Sequence, residues 1–157
     1  MGTAATLPAD FTVGDLRFAI VASRYNDNIV SALIEGARSA WSARGGNPST
    51  LQLERVPGAF ELPLAARALA QSGGVDAVVA LGCVIRGETA HFDYIAAACA
   101  HGLQRVMLDS GVPISFGVLT VNTLGQALQR AAADSNNKGA EALETALAMA
   151  TLLRRLR

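Results

Sequence analysis

The residues with the clearest chemical potential lie in the segment 82–94, where an apolar run gives way to a polar loop and then to a helix. The apolar run, residues 75–81, is typical of a buried strand, and glycines stand at positions 82 and 87. His91 falls in the first turn of the expected helix, next to backbone N–H groups that can hold an anion. The positive end of a helix favours neutral imidazole, which can take up and return a proton. The segment therefore predicts a general acid–base group beside an anion-binding loop.

The anion-binding loop is expected at residues 87–89, where Gly87 lets the backbone approach a ligand and Thr89 can cap the helix. Glu88 would repel an anion unless its side chain turns to water, so only its backbone N–H is expected to contribute. The ordinary alternatives are a helix start that binds nothing and, for His91, a half-buried histidine that caps the helix. The second histidine, His101, lies in mid-helix and is interpreted as structural.

Three aromatic residues lie at or near the ends of expected strands, in a chain with only 5% aromatic residues. The flat rings of Tyr25, Phe60 and Phe116 could stack on a planar heterocycle. Packing in the core is the alternative, above all for Phe116, because its strand is otherwise apolar. Glu61 lies in the first turn of a helix, where its carboxylate could accept hydrogen bonds from hydroxyl groups or simply interact with the helix dipole.

Two basic residues in the C-terminal third are candidates for holding a phosphate. Arg130 lies in the fourth expected helix, and Lys138 lies in the hinge that follows it. Arginine suits bidentate binding of phosphate, although most surface arginines are only solvated. We expect no metal site, because the sequence has no Cys/His ligand pattern. We expect no cofactor either, because neither a GxGxxG nor a P-loop motif occurs.

Alternating strands and helices must position these residues. Apolar, β-rich runs predict strands at residues 17–23, 50–56, 75–81 and 112–119. Amphipathic stretches predict helices at residues 29–44, 61–71, 90–109, 124–133 and 139–155, with a polar hinge at 134–138. Four segments then follow the carboxyl ends of strands, where α/β sheets bind ligands: residues 24–26, 56–61, 83–91 and 120–123.

The order βαβαβαβαα predicts the α/β class: a three-layer αβα sandwich with a four-stranded parallel sheet. We expect the whole chain, residues 1–157, to form a single domain, because no repeat, low-complexity segment or linker interrupts it. Residues 1–15 precede the first strand. They are expected to form an N-terminal arm that is flexible or adds an edge strand to a neighbouring subunit.

Composition and charge limit the classes of function. The 13 basic and 13 acidic residues balance, and no basic cluster favours nucleic acid. Neither a signal peptide nor an apolar run of membrane-spanning length occurs, and the two cysteines show no disulfide pattern. We therefore expect a cytoplasmic protein that binds neither nucleic acid nor a membrane. Hydrophobic residues make up 51% and charged residues only 17%, which predicts apolar contacts between subunits.

Five motifs occur in order between residue 17 and the C-terminus. They are RYN at 24–26, VPGAFELP at 56–63, LGCVIRGETAHFDY at 81–94, FGVLT at 116–120 and NKGAEA at 137–142. Their order and spacing resemble the 6,7-dimethyl-8-ribityllumazine synthase family, which carries out the penultimate step of riboflavin biosynthesis. The resemblance implies a flavodoxin-like fold. It also implies condensation of 5-amino-6-(D-ribitylamino)uracil with 3,4-dihydroxy-2-butanone 4-phosphate, with loss of phosphate and two waters and without a cofactor or metal.

The resemblance assigns a role to each candidate residue. His91 would be the proton shuttle, and phosphate would be held by the backbone of Glu88 and Thr89 and by Arg130, with Lys138 as a further candidate. The pyrimidine and its ribityl chain would contact Tyr25, Asn26, Ala59, Phe60, Glu61, Cys83, Val84, Ile85 and Phe116. Tyr25 stands where the family commonly has phenylalanine, so its ring can stack while its hydroxyl needs a partner. Phe116 and Arg130 are expected to come from the neighbouring subunit.

The resemblance further implies small-molecule substrates and a homo-oligomer with its sites at subunit interfaces. Family members form pentamers, and some assemble twelve pentamers into a hollow shell of sixty subunits. The hinge carries no insertion, and Asn136, where shell-forming relatives often have glycine, tolerates a left-handed backbone. A sixty-subunit shell is therefore favoured over a free pentamer. Riboflavin synthase is a candidate functional partner.

Two other functions fit part of the pattern. The archaeal-type riboflavin synthase, which dismutates two lumazines, resembles this fold, but residues 87–91 and Arg130 favour a substrate that carries phosphate. A paralogue that only binds flavin or lumazine would share the same binding residues. An assay for the lumazine product distinguishes it from an enzyme.

Overall fold

The computed structural model describes residues 7–157, in which four parallel strands form one sheet. The strands are β1 (Phe18–Ser23), β2 (Gln52–Val56), β3 (Ala77–Ile85) and β4 (Ile114–Val121), and their order across the sheet is β2-β1-β3-β4. The central strands β1 and β3 are buried along almost their whole length. Such continuous apolar runs are typical of parallel strands that are covered on both faces.

Five helices in the described part of the chain cover the two faces of the sheet. They are α1 (Asp27–Ala43), α2 (Leu62–Gln71), α3 (His91–Ser110), α4 (Leu124–Ala131) and α5 (Lys138–Leu156). α1, α4 and α5 pack on one face around Trp41 and Leu143, whereas α2 and α3 pack on the other around Leu62 and Cys99. The predicted three-layer αβα sandwich is confirmed. No helix within residues 7–157 combines the length and apolar character needed to cross a membrane.

The predicted ends of the third and fourth strands are wrong. β3 continues past residue 81 to Ile85, because residues 82–85 pair with residues 118–121 of β4. Thr120 and Val121 accordingly belong to β4 and not to the segment that follows it. The loop between β3 and α3 is therefore residues 86–90, and Cys83, Val84 and Ile85 lie in the sheet.

The described part of the N-terminal segment packs against its own chain. The guanidinium of Arg44 donates hydrogen bonds to the carbonyl oxygens of Pro8 (2.9 Å) and Phe11 (3.3 Å). Arg44 also forms an ion pair with Glu144 of α5 at 2.8 Å. The predicted arm falls partly on residues 1–6, which lie outside the described residues, so its pairing with a neighbour stays a prediction.

Candidate active site

The loops that follow β1 and β3 meet where the strand order of the sheet reverses, between these two strands. Asn26 ties the loop after β1 to the C-terminal part of β3, because its Nδ2 donates a hydrogen bond of 2.9 Å to the carbonyl oxygen of Cys83. Asn26 has a φ of 55°, a left-handed conformation that asparagine adopts more readily than most residues. Open α/β sheets bind ligands at this reversal point. The structure thus gives Asn26 a role in fixing the loop after β1 to β3, beside its predicted contact with substrate.

The loop between β3 and α3 is an exposed run of backbone, residues 86–90. Within residues 7–157, the backbone N–H groups of Gly87, Glu88 and Thr89 donate to no acceptor. His91 is the first residue of α3 and is exposed, and its backbone N–H lies 3.4 Å from the Thr89 hydroxyl. The helix start predicted near residue 90 is confirmed to within one residue, and His91 lies in the first turn as expected. The arrangement offers three unpaired donors and an imidazole to a ligand at the positive end of a helix.

Two aromatic rings project at the same edge of the sheet. Tyr25 is 75% exposed and Phe60 is 59% exposed, so neither ring belongs to the core of this chain. The loops that carry them are joined by a backbone hydrogen bond from Tyr25 to the carbonyl oxygen of Pro57 (3.3 Å). Exposed rings held in this way can stack on a planar heterocycle.

Glu61 ends a short 3-10 helix, Ala59–Glu61, that precedes α2. Its Oε2 accepts a hydrogen bond of 2.9 Å from the backbone N–H of Gly58, and Ala59 beside it is buried. The carboxylate therefore caps the turn, as the helix-dipole alternative suggests. It keeps further lone pairs with which it can accept hydrogen bonds from a ligand.

The side chain of Cys83 points into the core between the sheet and α1, α4 and α5, and only 3% of it is exposed. Val84 and Ile85, which follow it in β3, are half-buried. Any contact of Cys83 with a ligand would therefore use its backbone. The apolar surface at this edge comes from the two residues that follow.

Both thiols are predicted to be inert in the folded protein. Burial raises the pKa of Cys83 to about 11 and that of Cys99 to about 12, so the reactive thiolate is scarce at pH 8. A colorimetric thiol titration should find no rapid reaction in buffer and two thiols in denaturant. Because burial raises both pKa values, the contribution of the neutral thiols to the stability of the folded state is fully present below pH 9.0. It is lost as the pH rises through about 11 for Cys83 and about 12 for Cys99. A fast-reacting thiol in the native protein would contradict this placement.

A second group of predicted residues lines a cavity of about 370 Å³ beside β4, the edge strand. Phe116, which is 47% exposed, lines it together with Arg130 and Lys138. The ammonium group of Lys138 forms an ion pair with Glu141, and Nη1 of Arg130 donates a hydrogen bond of 3.0 Å to the carbonyl oxygen of Gln126. This cavity therefore combines an aromatic ring with two basic side chains and the carboxylate of Glu141.

The structure does not bring Phe116 to the loop that precedes His91. Phe116 pairs with Ala80, five residues before the end of β3 at Ile85. At about 3.3 Å per residue, Phe116 lies about 16 Å from that end of the strand. Within one chain, Phe116 therefore lies apart from the loop and from His91. Across residues 7–157, no three His, Cys, Asp or Glu side chains are grouped so that they could hold a metal ion.

Arg86 has no role among the residues predicted from the sequence, and the structure places it in a network at the start of the loop. Its guanidinium forms an ion pair with Asp93 at 2.8 Å and lies 4.3 Å from the centre of the Phe92 ring. The hydrogen bond from Arg86 lowers the pKa of Asp93. The spacing of Arg86, Phe92 and Asp93 around His91 is the sequence signal that could have indicated this network.

Comparison with known proteins gives consistent matches over almost the whole chain. A family profile described as 6,7-dimethyl-8-ribityllumazine synthase matches residues 15–154. A protein of that name from Halorhodospira halophila is 53% identical over 142 residues, which cover 90% of this chain and 91% of the relative. Those from Thermus thermophilus (50% over 148 residues, 94% of both chains) and Chloroherpeton thalassium (46% over 151 residues, 96% and 97%) are also similar.

Proposed function

The chain belongs to the 6,7-dimethyl-8-ribityllumazine synthase family, and from this premise we propose that a neighbouring subunit completes its active site. The protein is a transferase of riboflavin biosynthesis. It condenses 5-amino-6-(D-ribitylamino)uracil with 3,4-dihydroxy-2-butanone 4-phosphate to give 6,7-dimethyl-8-ribityllumazine, phosphate and water. The observation that carries the proposed site is the exposed loop of residues 86–90, with its unpaired N–H groups directly before His91.

His91 and the loop divide the chemistry between them. Joining an amine to a carbonyl requires proton transfers at both groups, and the exposed imidazole of His91 is proposed to carry these protons. The backbone N–H groups of Glu88 and Thr89 are proposed to hold the phosphate, aided by the positive end of α3. The same donors then stabilise the negative charge that develops as the phosphate leaves.

The pyrimidine is proposed to lie against the exposed rings of Tyr25 and Phe60. The carboxylate of Glu61 accepts hydrogen bonds from ribityl hydroxyl groups through the lone pairs that Gly58 leaves unused. Stacking and these hydrogen bonds fix the orientation of the amine relative to the phosphate-bearing substrate. Positioning of this kind lowers the barrier of a two-substrate reaction.

The second half of the site is proposed to come from the next subunit, which supplies Phe116, Arg130 and Lys138. The distance of Phe116 from the loop within one chain supports this proposal. Further support comes from large apolar side chains at the surface of the described residues, among them Leu64, Tyr94, Leu108, Leu124 and Leu128. In a chain with so few charged residues, contacts between identical subunits would remove these apolar side chains from water.

The assembly is proposed to be a shell of twelve pentamers, with the free pentamer as the alternative. Its support is the short hinge between α4 and α5, which runs from residue 132 to residue 137. Light scattering and sedimentation distinguish the two masses. We also propose a cytoplasmic location, supported by two free, buried cysteines. Riboflavin synthase is the proposed functional partner, since it would consume the product.

A mixing experiment tests whether the site is shared between subunits. The variants His91→Ala and Arg130→Ala are each expected to be nearly inactive as pure assemblies. When the two are co-assembled in equal amounts, about a quarter of the interfaces should join an intact His91 to an intact Arg130. Lumazine fluorescence should then show about a quarter of wild-type activity.

The matched control for this mixture combines Arg130→Ala chains with chains that carry both substitutions. No intact Arg130 is present in that mixture, so its activity should equal the residual activity of the parents. If the first mixture also gives no more than the sum of its parents, the site lies within one chain and the proposal is wrong. If pure wild type forms no lumazine from the two substrates, the assignment of activity fails as well.

A further inference from the structure

The side chain of Arg86 links the start of the loop that carries the proposed phosphate site to the first turn of α3. Nη2 and Nη1 donate to the two carboxylate oxygens of Asp93 at 2.8 and 3.2 Å. Nε donates to Oδ1 of Asn122 at 3.2 Å, and the guanidinium lies over the Phe92 ring. Two side chains of α3 and one from the turn after β4 therefore hold the guanidinium in a fixed orientation.

The segment between Arg86 and Asp93 has few other restraints. The backbone N–H of Arg86 donates to Val121 at 2.9 Å, and that of Asp93 donates to Ala90 at 3.0 Å. Between these two anchors, Gly87 has open space where a side chain would lie, and residues 86–91 are all exposed. Besides the contact of 3.4 Å between the His91 N–H and the Thr89 hydroxyl, the side-chain bonds of Arg86 restrain the position of the loop relative to α3.

We propose that Arg86 is a positioning residue, which acts through Asp93, Phe92 and Asn122 to hold the N–H groups of residues 87–89 in register with His91. This inference rests on the phosphate site proposed above. An isolated ion pair at the surface contributes little to stability. The pair of Arg86 and Asp93 instead flanks residues 87–91, which are proposed to bind phosphate and transfer protons. Its main effect is therefore expected on the geometry in which these residues hold the substrate.

A competing role for Arg86 is direct binding of phosphate by its charge, and the carboxylate partner distinguishes the two roles. Asp93→Asn removes the negative charge and the bidentate partner while keeping the size of the side chain. If Arg86 bound phosphate directly, this substitution would unmask its charge and tighten phosphate binding. If Arg86 acts by positioning, the substitution loosens the loop and weakens binding, as Arg86→Gln does.

The experiment measures steady-state kinetics and inhibition by inorganic phosphate in the assembled enzyme. For Arg86→Gln and for Asp93→Asn, we expect the KM of the four-carbon substrate and the inhibition constant of phosphate to rise about tenfold. The KM of the pyrimidine substrate should change by less than about twofold, because its expected contacts lie on other loops and on β3, outside residues 86–90. The double variant should show little more than either single change, since both break one interaction.

Two further variants complete the test. Arg86→Lys should not restore binding, because an ammonium group cannot form the bidentate pair and reach Asn122 together. Arg105→Gln removes the similar pair with Asp109 on α3, at 3.5 Å, which spans no loop. It should leave all constants unchanged.

The outcomes separate this inference from the proposed function. Tighter phosphate inhibition in Asp93→Asn would make Arg86 a direct ligand and overturn the positioning role. Equal increases in both KM values together with a lower melting temperature would reduce Arg86 to a purely structural residue. Unchanged inhibition in both variants overturns the positioning role alone. A wild-type enzyme that phosphate does not inhibit would overturn the phosphate site itself and the positioning role with it.

Discussion

Replacing His91 with alanine is expected to lower kcat by about 10²- to 10⁴-fold without abolishing turnover. The substitution removes the group proposed to move protons at the amine and the carbonyl. The unpaired N–H groups of residues 87–89 and the exposed ring of Tyr25 remain in place to hold both substrates. Because positioning alone accelerates a two-substrate reaction, slow turnover should persist. Lumazine fluorescence under saturating substrates measures kcat directly.

His101→Ala provides the matched control, because both histidines are exposed residues of α3. His101 lies almost three helical turns further along the helix, and its replacement should leave kcat unchanged. Complete loss of activity in an intact His91→Ala assembly would contradict the division between proton transfer and positioning. An unchanged kcat would remove His91 from the proton path.

The sequence predicted the elements of the fold well, because periodicity reports directly on burial. The buried strand β3 and the start of α3 near residue 90 are local signals; the strand and the helix start are confirmed, whereas the predicted end of the strand is wrong. The error at Gly82 has a physical reason. A Cβ at this position would lie 3.1 Å from the Ser23 hydroxyl and 3.3 Å from Leu62, so the glycine serves close packing within the sheet. From sequence alone, such a glycine resembles the end of a strand.

The side-chain network of the candidate site could not be predicted in the same way. The bond between Asn26 and Cys83 spans 57 positions, and that between Arg86 and Asn122 spans 36. Pairings of this kind depend on the register of neighbouring strands, which no local pattern in one sequence encodes. The distance of Phe116 from the loop likewise follows from the register of β4. From the sequence, the role of Phe116 was implied only by the family resemblance.

The start of α5 packs closely against α1 beside the cavity that Arg130 and Lys138 line. Oδ1 of Asn137 accepts hydrogen bonds from the backbone N–H groups of Gly139 and Ala140, at 2.9 and 3.1 Å. Its Nδ2 donates to the carbonyl oxygen of Ala131 at 3.0 Å, which ties α5 to the end of α4. Gly36 of α1 leaves the space that this amide fills, since a Cβ there would lie 2.8 Å from Nδ2.

Gly139→Ala is therefore expected to destabilise the folded chain by about 3 kcal/mol or more. A Cβ at this position would overlap the carbonyl oxygen of Leu33 and lie 2.8 Å from its Cα, so α1 and α5 would have to separate. The obstacle is backbone, which cannot rotate away as a side chain does. Urea unfolding at a fixed protein concentration measures the change, because assembly makes stability depend on concentration.

Gly125→Ala is the matched control, since a Cβ in that position of α4 would meet only the Thr123 hydroxyl, at 3.9 Å. Its stability should be unchanged or up to about 1 kcal/mol higher, because alanine favours a helix more than glycine does. A Gly139→Ala protein as stable as wild type would show that α1 and α5 can separate without cost.

Lys138 and Glu141 flank Gly139 and line the cavity beside β4, so a shift of α5 would also displace them. The activity lost by Gly139→Ala should then exceed the share of chains that are unfolded, whereas Gly125→Ala should keep both stability and turnover.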